Sequence, residues 1–280
     1  MEWIERLNRA IAYIEENLDG DADYEALGRI ACCSSYHFQR MFAYIAGVPL
    51  SEYIRRRRMS LAAVDLRGGE KIVDVALKYG YSSPTAFNRA FQSVHGVAPS
   101  AVKSDGVAVK SFPPMSFKIT VTGAEEMNYR IETKGAFRIV GISAPLDKDI
   151  EKNFTQVPDL WQEAVTSGRL QSLAAMMNGQ PMGVLGVSMC QDNSDWRYVI
   201  AVASDKPAGD FEEYIVPAAM WAVFPGSGTN LDIQELERRI VTEWLPTSGY
   251  EYGEAPDVEV YLNPDPANAV FEVWIPVVKR

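Results

Sequence analysis

Apolar residues recur at helical spacing in two matched stretches of the first hundred residues. The first stripe consists of Phe38, Met41, Phe42 and Ile45, and the second, 49 positions later, of Phe87, Ala90, Phe91 and Val94. Residues at i, i+3, i+4 and i+7 lie on one side of a helix, so each stretch predicts an amphipathic helix. Ser34 and Ser83 are the predicted N-caps. A short apolar helical stretch precedes each stripe, so the repeat predicts two helix-turn-helix units in tandem.

The opposite faces of these two helices carry side chains that can read DNA bases. They are Tyr36, Gln39 and Arg40 in the first helix and Thr85, Asn88 and Arg89 in the second. Gln, Asn and Arg make paired hydrogen bonds with adenine or guanine edges in the major groove. A solvated helix face has the same composition, but its recurrence inside two matched units favours DNA reading.

Between the two units, residues 50–66 predict one helix that contains four consecutive arginines at 55–58. A helix of this length measures about 25 Å, so it could hold two reading helices about one DNA turn apart. Four consecutive arginines point around most of a helix, and at least two of them would lie along a DNA backbone. A solvated run of charges is the alternative.

After a stretch rich in Ser, Gly and Pro at 103–114, the hydrophobic period changes from helical to alternating. The pattern predicts helices at 157–167 and 231–245 and strands at 117–121, 129–134, 137–143, 184–190, 197–203, 212–216, 221–224, 258–262 and 271–277. This order gives two ββαββ-like halves, which we expect to form two sheets with helices on one face, related by a pseudo-twofold axis. The predicted organisation is an all-α domain at 1–105, a linker at 106–115 and an α+β domain at 116–280.

The last two predicted strands alternate between apolar residues and acidic or aromatic ones. The apolar set, expected to face the helices, is Val258, Val260, Leu262, Phe271, Val273 and Ile275. The other face would then carry, side by side, Glu259, Tyr261, Glu272 and Trp274. Carboxylates beside aromatic rings suit a cationic or amphipathic ligand, through Coulomb attraction and cation–π contact.

Other interpretations of these residues stay open. Glu259 and Glu272 are alternatively solvated, or paired with Arg197 or Lys279. Three further aromatic residues lie either in the pocket wall or in the core, and the pattern does not decide between the two: Trp161, Tyr198 and Trp221.

The net charge of −10 at first argues against a DNA-binding protein. Through Asp105 the sequence holds 13 basic and 13 acidic residues, and the rest holds 14 basic and 24 acidic ones. The acidity therefore belongs to the second domain, and the first domain is neutral with one concentrated arginine run. We expect no tight, strongly salt-dependent nonspecific binding to DNA.

The cysteines and histidines favour neither a metal site nor a catalytic site. The three cysteines, Cys32, Cys33 and Cys190, lack metal-ligand spacing, which suits reduced thiols in a cytoplasm. The adjacent pair is either a redox sensor or, as its place before a turn favours, two small buried residues. With only two histidines in the chain, we expect no metal, no cofactor and no catalytic residues. We find no signal peptide and no apolar run near 18 residues, so we expect a cytoplasmic protein without a membrane partner.

The first hundred residues resemble the AraC/XylS-type DNA-binding domain. The matching motifs, between Met1 and about Val102, are Ser35-Tyr36-His37-Phe38-Gln39-Arg40-Met41-Phe42, Tyr53-Ile54-Arg55-x-Arg57-Arg58-Met59, and Gly80-Tyr81-x-Ser83-x-x-x-Phe87-x-Arg89-x-Phe91 with Gly96-x-x-Pro99. The resemblance implies a transcription regulator whose two reading helices enter adjacent major-groove segments of a double-stranded operator, with RNA polymerase as a candidate partner. The DNA-binding set is then Ser35, Tyr36, Gln39, Arg40, Arg55, Arg57, Arg58, Thr85, Asn88 and Arg89. Pro84 stands where family members often have a longer polar side chain, which implies weaker reading by the second helix.

The second half resembles the GyrI-like effector-binding domain. The matching residues are Asn128-Tyr129-Arg130-Ile131-Glu132, Phe137-Arg138-Ile139-Val140-Gly141, Pro158-Asp159-Leu160-Trp161, Val223-Phe224-Pro225-Gly226, Val258-Glu259-Val260-Tyr261 and Phe271-Glu272-Val273-Trp274-Ile275-Pro276. The family binds varied hydrophobic and cationic compounds around a pocket carboxylate, which implies an effector site and a role in multidrug sensing. Some relatives are similar to hydrolases of strained electrophiles, for which Glu259 and Tyr261 would be base and proton donor.

Both resemblances together predict a one-component transcription regulator, not an enzyme, whose second domain binds a small effector. One alternative is a scavenger or hydrolase that uses the same pocket. The other is a second domain that serves only for contacts with other proteins.

Overall fold

The computed structural model describes residues 3–20, 22–104, 106–118, 126–190, 195–263 and 268–280. By their contacts the residues divide into two compact units. The first comprises Met1–Ala31 and Val48–Thr120, and the second comprises Cys32–Gly47 and Val121–Arg280. The first predicted reading helix therefore belongs, by its contacts, to the second unit.

The helices confirm most of the predicted helical segments. Those of the described residues are α1 (Trp3–Glu16), α2 (Tyr24–Ala31), α3 (Ser35–Ala46), α4 (Leu50–Arg67), α5 (Ile72–Lys78), α6 (Pro84–His95), α7 (Asn153–Thr166), α8 (Arg169–Ala174) and α9 (Asn230–Arg239). The predicted helix at 231–245 is α-helical only as far as Arg239 and continues as a wider π-helical turn over Ile240–Trp244. The short helix α8 was not predicted. No helix in these ranges is both long enough and apolar enough to cross a membrane.

The first unit is built around the apolar side of α6. The residues of its predicted stripe that are buried in the core of this unit are Phe87, Phe91 and Val94. Ser83 Oγ accepts a hydrogen bond from the Ala86 N–H at 3.2 Å, and the helix ends at Gly96. The helix, its cap and its apolar side are therefore confirmed.

The strands of the second unit all join one antiparallel sheet within the described residues. They are β1 (Arg130–Lys134), β2 (Phe137–Pro145), β3 (Val184–Met189), β4 (Arg197–Ala203), β5 (Glu212–Val216), β6 (Ala219–Gly228), β7 (Tyr250–Tyr252), β8 (Asp257–Asn263) and β9 (Ala269–Lys279). Eight strands follow the order β1-β6-β9-β8-β3-β4-β2-β5, and β7, which was not predicted, pairs with β9. Of the strand predicted at 117–121, Phe117 and Lys118 are not in a strand, and the other residues lie outside the described ranges.

The strand order is symmetric about its centre. One half consists of β1 to β4 with α7, and the other of β5, β6, β8 and β9 with α9. The two halves exchange their first strands, because β1 pairs with β6 and β5 pairs with β2. The predicted pseudo-repeat is confirmed, but the halves form one sheet and not two, because β3 and β8 pair directly.

The register of β8 and β9 places the two candidate glutamates on opposite faces of the sheet. Glu259 pairs with Val273, and Val260 pairs with Glu272. Directly paired residues of antiparallel strands project to the same side, so Glu272 shares its face with Val260 and not with Glu259. The prediction that all four candidates lie on one face was therefore wrong, because Glu259 and Tyr261 lie on one face and Glu272 and Trp274 on the other. The expectation that the apolar residues of both strands face the helices was wrong for Val258 and Val260, which share the face of Trp274.

Each face of the sheet has its own core. On the face of Glu259, α7 and α8 cover one half of the sheet, and α9 packs on β6 and β9. The opposite face encloses Trp221 and Trp274. Phe137 of β2 reaches Trp221 of β6, with ring centroids 6.3 Å apart, although these strands lie near opposite edges of the sheet. This contact requires a strongly curved sheet that wraps its own aromatic core.

Helix α3 confirms the predicted cap and apolar side of the first reading helix. Ser34 Oγ accepts a hydrogen bond from the His37 N–H at 3.2 Å. Gly47 ends the helix with φ +68°, a left-handed conformation that glycine adopts without strain. The stripe residues Phe38 and Phe42 are buried.

Candidate effector site and DNA-reading helices

The Glu259 carboxylate lies among three aromatic side chains on the helix-covered face of the sheet. Tyr198 Oη and Tyr261 Oη both donate hydrogen bonds to Glu259 Oε2, at 3.1 and 2.8 Å. Trp161 of α7 donates its indole N–H to Tyr198 Oη at 3.1 Å, and its ring meets the Tyr261 ring edge-on at 5.2 Å between centroids. Four of the predicted ligand-site residues thus form one group, which we call the Glu259 cluster (Trp161, Tyr198, Glu259 and Tyr261).

Gly186 on β3 provides the space in which this cluster forms. It pairs with Glu259 on the neighbouring strand. A Cβ atom at Gly186 would overlap Tyr198 Oη and would lie 2.9 Å from Glu259 Oε2. Gly186 was not predicted as a site residue. A glycine inside a predicted strand is the available signal, because it marks a close approach without saying of which group.

The surroundings of Glu259 favour its protonated form. Burial raises the pKa of the Glu259 carboxyl to about 7, and the negative charge of Glu237 adds to the rise. Hydrogen bonds from Tyr261 and Tyr198 and the positive charge of Arg40 oppose it. Near neutral pH both forms of Glu259 are populated, and the charge of a bound ligand can shift this balance.

The two phenols of the cluster stay protonated donors. Burial, followed by the charge of Glu259, raises the pKa of Tyr198 and of Tyr261 well above the ordinary value for tyrosine. The cluster therefore holds one carboxyl group that can gain or lose its proton near neutral pH, and two phenols that keep theirs.

The other three candidates lie on the opposite face of the sheet. The Trp274 indole N–H donates to Glu272 Oε2 at 2.8 Å, and Arg130 forms an ion pair with Glu272 at 2.8 Å. Glu272 is thus paired, but with Arg130 and not with Arg197 or Lys279. Trp221 and Trp274 are among the largest fully buried side chains, with ring centroids 6.1 Å apart. Trp221 belongs to the core.

A small cavity adjoins the Glu259 carboxylate on the side of α3. Its lining consists of Arg40, Tyr44, Glu237, Ile240, Val241, Tyr252, Asp257, Val258, Glu259, Val273 and Ile275. Apolar walls with a few convergent charged groups are the usual composition of a small-molecule site, but the free volume of this cavity is about 10 Å³, which is room for about one water molecule. The cavity brings the predicted effector residue Glu259 and the predicted DNA-reading residue Arg40 into one place.

The predicted reading side chains of α3 are not open to solvent. Tyr36 Oη donates to Ser188 Oγ at 2.9 Å, and Gln39 Nε2 donates to the Lys148 carbonyl at 2.9 Å. Gln39 is 1% exposed, and Ser35 is buried. The expectation that this face of the helix points outward was therefore wrong, because partners more than 100 residues away along the chain cover it.

Arg40 is held by two carboxylates of the second unit. Its guanidinium lies 2.6 Å from Glu237 Oε1 and 3.1 Å from Asp257 Oδ2. The His37 ring nitrogen Nε2 lies 3.1 Å from the other Asp257 oxygen. His37, and next to it Arg40, hold the pKa of the Asp257 carboxyl below its ordinary value against the effect of burial. Asp257 is therefore a permanent negative charge beside α3.

The second reading helix, α6, presents its predicted face to solvent. Thr85, Asn88 and Arg89 are exposed, and Gln92 Nε2 donates to Asn88 Oδ1 at 3.3 Å. The outward orientation of these side chains is confirmed. Their contact with bases stays a prediction.

The arginine run divides into inward and outward members. Arg57 donates to the Glu15 carboxylate at 2.6 Å and to the Phe112 carbonyl at 2.5 Å. Arg58 donates its Nε–H to the Leu18 carbonyl at 2.9 Å. Arg55, paired with Glu52 on the same helix, keeps 45% of its side chain exposed. Of the predicted phosphate-binding arginines, Arg57 and Arg58 thus bind within the first unit, and Arg55 faces solvent.

The cysteines are free thiols in unlike surroundings. Cys32 is exposed, with a backbone φ of +58°, so the expectation that the adjacent pair is buried was wrong for Cys32. Cys190 is buried. Burial raises the pKa of the Cys33 and Cys190 thiols, which makes both poor nucleophiles. The described ranges contain no group of three or more His, Cys, Asp or Glu side chains arranged to hold a metal ion.

Two known families match the chain. The GyrI-like small molecule binding domain matches residues 127–278, and a helix-turn-helix domain matches residues 27–105. The first match covers more than half of the chain and includes β1 to β8 and all of β9 except its last residue.

Several proteins with similar sequences are named as transcription regulators. The chain is similar to the HTH-type transcriptional activator AarP of Providencia stuartii, at 35% identity over 34% of this chain and 70% of AarP. It is similar to the regulatory protein SoxS of Escherichia coli K12, at 37% identity over 32% of this chain and 85% of SoxS. Among solved structures it is similar to SAV2435 bound to tetraphenylphosphonium, at 21% identity, with 54% of this chain and 94% of that one covered and a TM-score of 0.48. The chain belongs to the GyrI-like small-molecule-binding family and carries an AraC-type helix-turn-helix domain, so it is a DNA-binding transcription regulator with an effector domain.

Proposed function

We propose that this regulator responds to a cationic or amphipathic effector bound at the Glu259 cluster. One observation supports it most: a partly buried carboxylate accepts hydrogen bonds from two phenols and stands beside an indole. The carboxylate attracts positive charge, and the aromatic faces bind organic cations through their π electrons. The apolar core around α7 and α8 offers the neutral part of such a molecule a dry surface.

Glu259→Gln is expected to weaken the binding of tetraphenylphosphonium, a cation whose charge is spread over aromatic rings. The loss should be about 2–3 kcal/mol, the Coulomb energy of two unit charges roughly 6–8 Å apart at an effective dielectric constant of about 20. Triphenylphosphine oxide, a neutral molecule of similar rings, should lose much less. Calorimetric titration of the full chain with both compounds measures the difference.

The matched control for this comparison is Glu272→Gln, the same change on the opposite face of the sheet. It should leave both affinities near the wild-type values. Equal losses for the cation and the neutral compound in Glu259→Gln would assign Glu259 a packing role. Absence of saturable binding to the wild type would contradict the proposed effector class.

Binding of tetraphenylphosphonium is expected to strengthen as the pH rises from about 5 to about 8. With the pKa of Glu259 raised to about 7, a cation that binds below this pH must displace a proton. The affinity should therefore fall about tenfold per pH unit well below pH 7 and level off above it. Titration across this range gives the slope, and the same slope in Glu259→Gln would assign it to another group.

We further propose that the part of the chain predicted at 1–105 binds operator DNA and that α6 reads bases through Asn88 and Arg89. The support is their exposure on the open face of a capped helix. RNA polymerase bound at the same promoter would be a second macromolecular partner. A protein with these partners works where the chromosome is, in the cytoplasm.

Arg89→Ala is expected to lower the affinity for the selected operator by about 1–3 kcal/mol and to relax preference at one base position. The operator would be selected from random double-stranded DNA with the wild-type chain. Arg238→Ala is the control, because Arg238 is a surface arginine paired with Glu235 in the effector domain. An unchanged selected sequence in Arg89→Ala would remove this residue from base reading.

The proposed function includes no catalytic step. Hydrolysis at Glu259 and Tyr261 would instead predict that a strained electrophile such as an epoxide is consumed with turnover, and that Glu259→Gln stops it. Product analysis by mass spectrometry separates the two cases, since an effector site gives saturable binding without product.

A further inference from the structure

The first reading helix is held by buried carboxylates of the effector domain. Arg40 lies between Glu237 of α9 and Asp257 of β8, at 2.6 and 3.1 Å. Both carboxylate side chains are 9% exposed, and that of Arg40 is 17% exposed. Tyr44, one turn further along α3, donates to Glu237 Oε2 at 2.5 Å. Two side chains of one helix therefore share a buried carboxylate.

The neighbouring contacts fix the same face of α3. The His37 ring stacks on the Tyr252 ring at 4.2 Å between centroids. The polar atoms of Tyr36 and Gln39 donate hydrogen bonds to Ser188 and to the Lys148 carbonyl. A base edge cannot reach Tyr36, Gln39 or Arg40 while these contacts persist. In this arrangement α3 is closed to DNA.

The carboxylates that hold α3 also face the effector site. Arg40, Glu237, Asp257 and Glu259 line one cavity. The charge of Glu237 raises the pKa of Glu259 and the charge of Arg40 lowers it, so charges on α3, on α9 and in the Glu259 cluster act on one another. The lining holds three carboxyl groups and one guanidinium, and the His37 ring lies 3.1 Å from one oxygen of Asp257. A cationic ligand near Glu259 would offer these carboxyl groups a second positive partner beside Arg40.

We propose that α3 is an autoinhibitory element, with Arg40 as the chain's own counter-ion in the effector cavity, and that a cationic effector releases it. Positive charge beside Glu259 repels the Arg40 guanidinium and competes with it for Glu237 and Asp257. Opening a buried ion pair is costly because it leaves an uncompensated charge. An incoming cation removes much of that cost, because the carboxylates keep a partner. The proposal rests on the proposed function, since it takes the effector to be a cation bound near Glu259.

Thermodynamic linkage makes the proposal quantitative. If the effector strengthens DNA binding by some factor, DNA must strengthen effector binding by the same factor. Measured couplings of this kind lie between about 5- and 150-fold. The coupling factor can therefore be measured twice, from the DNA affinity with and without effector and from the effector affinity with and without DNA.

The test uses variants on the effector side, because Arg40 is itself a predicted base reader. Glu237→Gln removes one of the two carboxylate charges that hold Arg40 and leaves every predicted DNA-binding residue in place. In the full chain without effector, it is expected to raise the affinity for the selected operator by about 5- to 150-fold, as measured by fluorescence anisotropy. Tetraphenylphosphonium should raise the wild-type affinity by a similar factor and that of Glu237→Gln by little. Glu235→Gln is the matched control, because Glu235 lies on the same helix with its side chain 54% exposed.

A second variant keeps the test decisive if Glu237→Gln fails to fold, which circular dichroism would reveal. Tyr44→Phe removes one hydrogen bond to Glu237 without changing charge, and it should raise DNA affinity by a smaller factor. Wild-type DNA affinity in the folded variants would overturn the proposal and would identify the α3 contact as static packing. Weaker DNA binding in the presence of tetraphenylphosphonium would overturn it as well.

The proposed function can fail separately. If tetraphenylphosphonium does not bind the wild-type chain in the absence of DNA, the proposed effector class is wrong and the cationic trigger is lost with it. The DNA affinities of the two variants without effector would still decide whether α3 is held closed.

Discussion

Arg57→Ala is expected to lower the free energy of unfolding of the first unit by about 3–5 kcal/mol, the usual result of removing one partner from a buried ion pair. The Arg57 side chain is 9% exposed and donates to both Glu15 oxygens and to the Phe112 carbonyl. Its loss leaves the Glu15 carboxylate, 18% exposed, without its cation. Thermal and urea unfolding of the full chain, followed by helix content, would measure the effect.

The control is Arg55→Ala on the same helix, where the side chain is 45% exposed and paired only along the helix surface. Its effect on stability should stay within about 0.5 kcal/mol. If Arg55 contacts a phosphate, the variant should instead bind DNA with a smaller salt dependence. The slope of the logarithm of the binding constant against the logarithm of the salt concentration should fall by about one unit. If the Arg57→Ala chain is stable but binds all DNA sequences more weakly, Arg57 contacts the DNA backbone and the structural role is wrong.

Gly186→Ala is expected to abolish most of the binding of tetraphenylphosphonium, with a loss of about 3 kcal/mol, since it acts on two groups of the site at once. The new methyl group overlaps Tyr198 Oη and crowds Glu259 Oε2 at 2.9 Å. Tyr198 must then rotate away, and it takes with it the hydrogen bonds to Glu259 and Trp161. Calorimetric titration of the folded variant gives the affinity, and its melting temperature reports the strain separately.

Gly135→Ala is the matched control, because a Cβ atom at Gly135 meets no other atom within 4 Å. It should keep wild-type affinity and stability. Wild-type affinity in Gly186→Ala would show that the ligand does not depend on the position of Tyr198, and the effector site would then have to lie outside the Glu259 cluster.

The Gly186 variant acts on the Glu259 cluster and the Glu237 variant acts on the contact with Arg40, so the two should differ in what they change. The first should remove effector binding without opening α3, and the second should open α3 without removing Glu259. A regulator that combines a low-affinity effector site with open α3 would bind its operator whether the effector is present or not. The double variant, measured for DNA binding, would therefore show whether the two events are separable.

The local pattern was sufficient to predict helices α3 and α6 and half of the Glu259 cluster. Apolar residues at helical period formed α3 and α6 as predicted, because that spacing puts them on one side of a helix whatever it packs against. Glu259 and Tyr261 share a face for the equivalent reason in a strand. The repeat of 49 residues and the serine caps depended on no distant contact.

Register decided which residues join Glu259. The sequence alternates equally well in β8 and β9, and a slip of one residue exchanges the two faces. Only the pairing of Glu259 with Val273 excludes Glu272 and Trp274 from the site. The pairing of β3 with β8 and with β4 brings in Gly186 and Tyr198.

The sequence by itself determined that this chain has two matched amphipathic helices with polar outer faces and a second domain with acidic and aromatic residues in its last strands, because these follow from period, spacing and residue type. The tertiary structure alone decided that α6 presents its predicted reading face to solvent while α3 does not. It also decided that Arg57 meets Glu15 within the first unit and that Arg40 meets the carboxylates of Glu237 and Asp257. The partners of these side chains lie far along the chain: 42 residues separate Arg57 from Glu15, and 217 separate Arg40 from Asp257. A charged side chain on a helix surface looks the same in sequence whether it faces water, DNA or a buried carboxylate, because its local pattern does not record what folds against it.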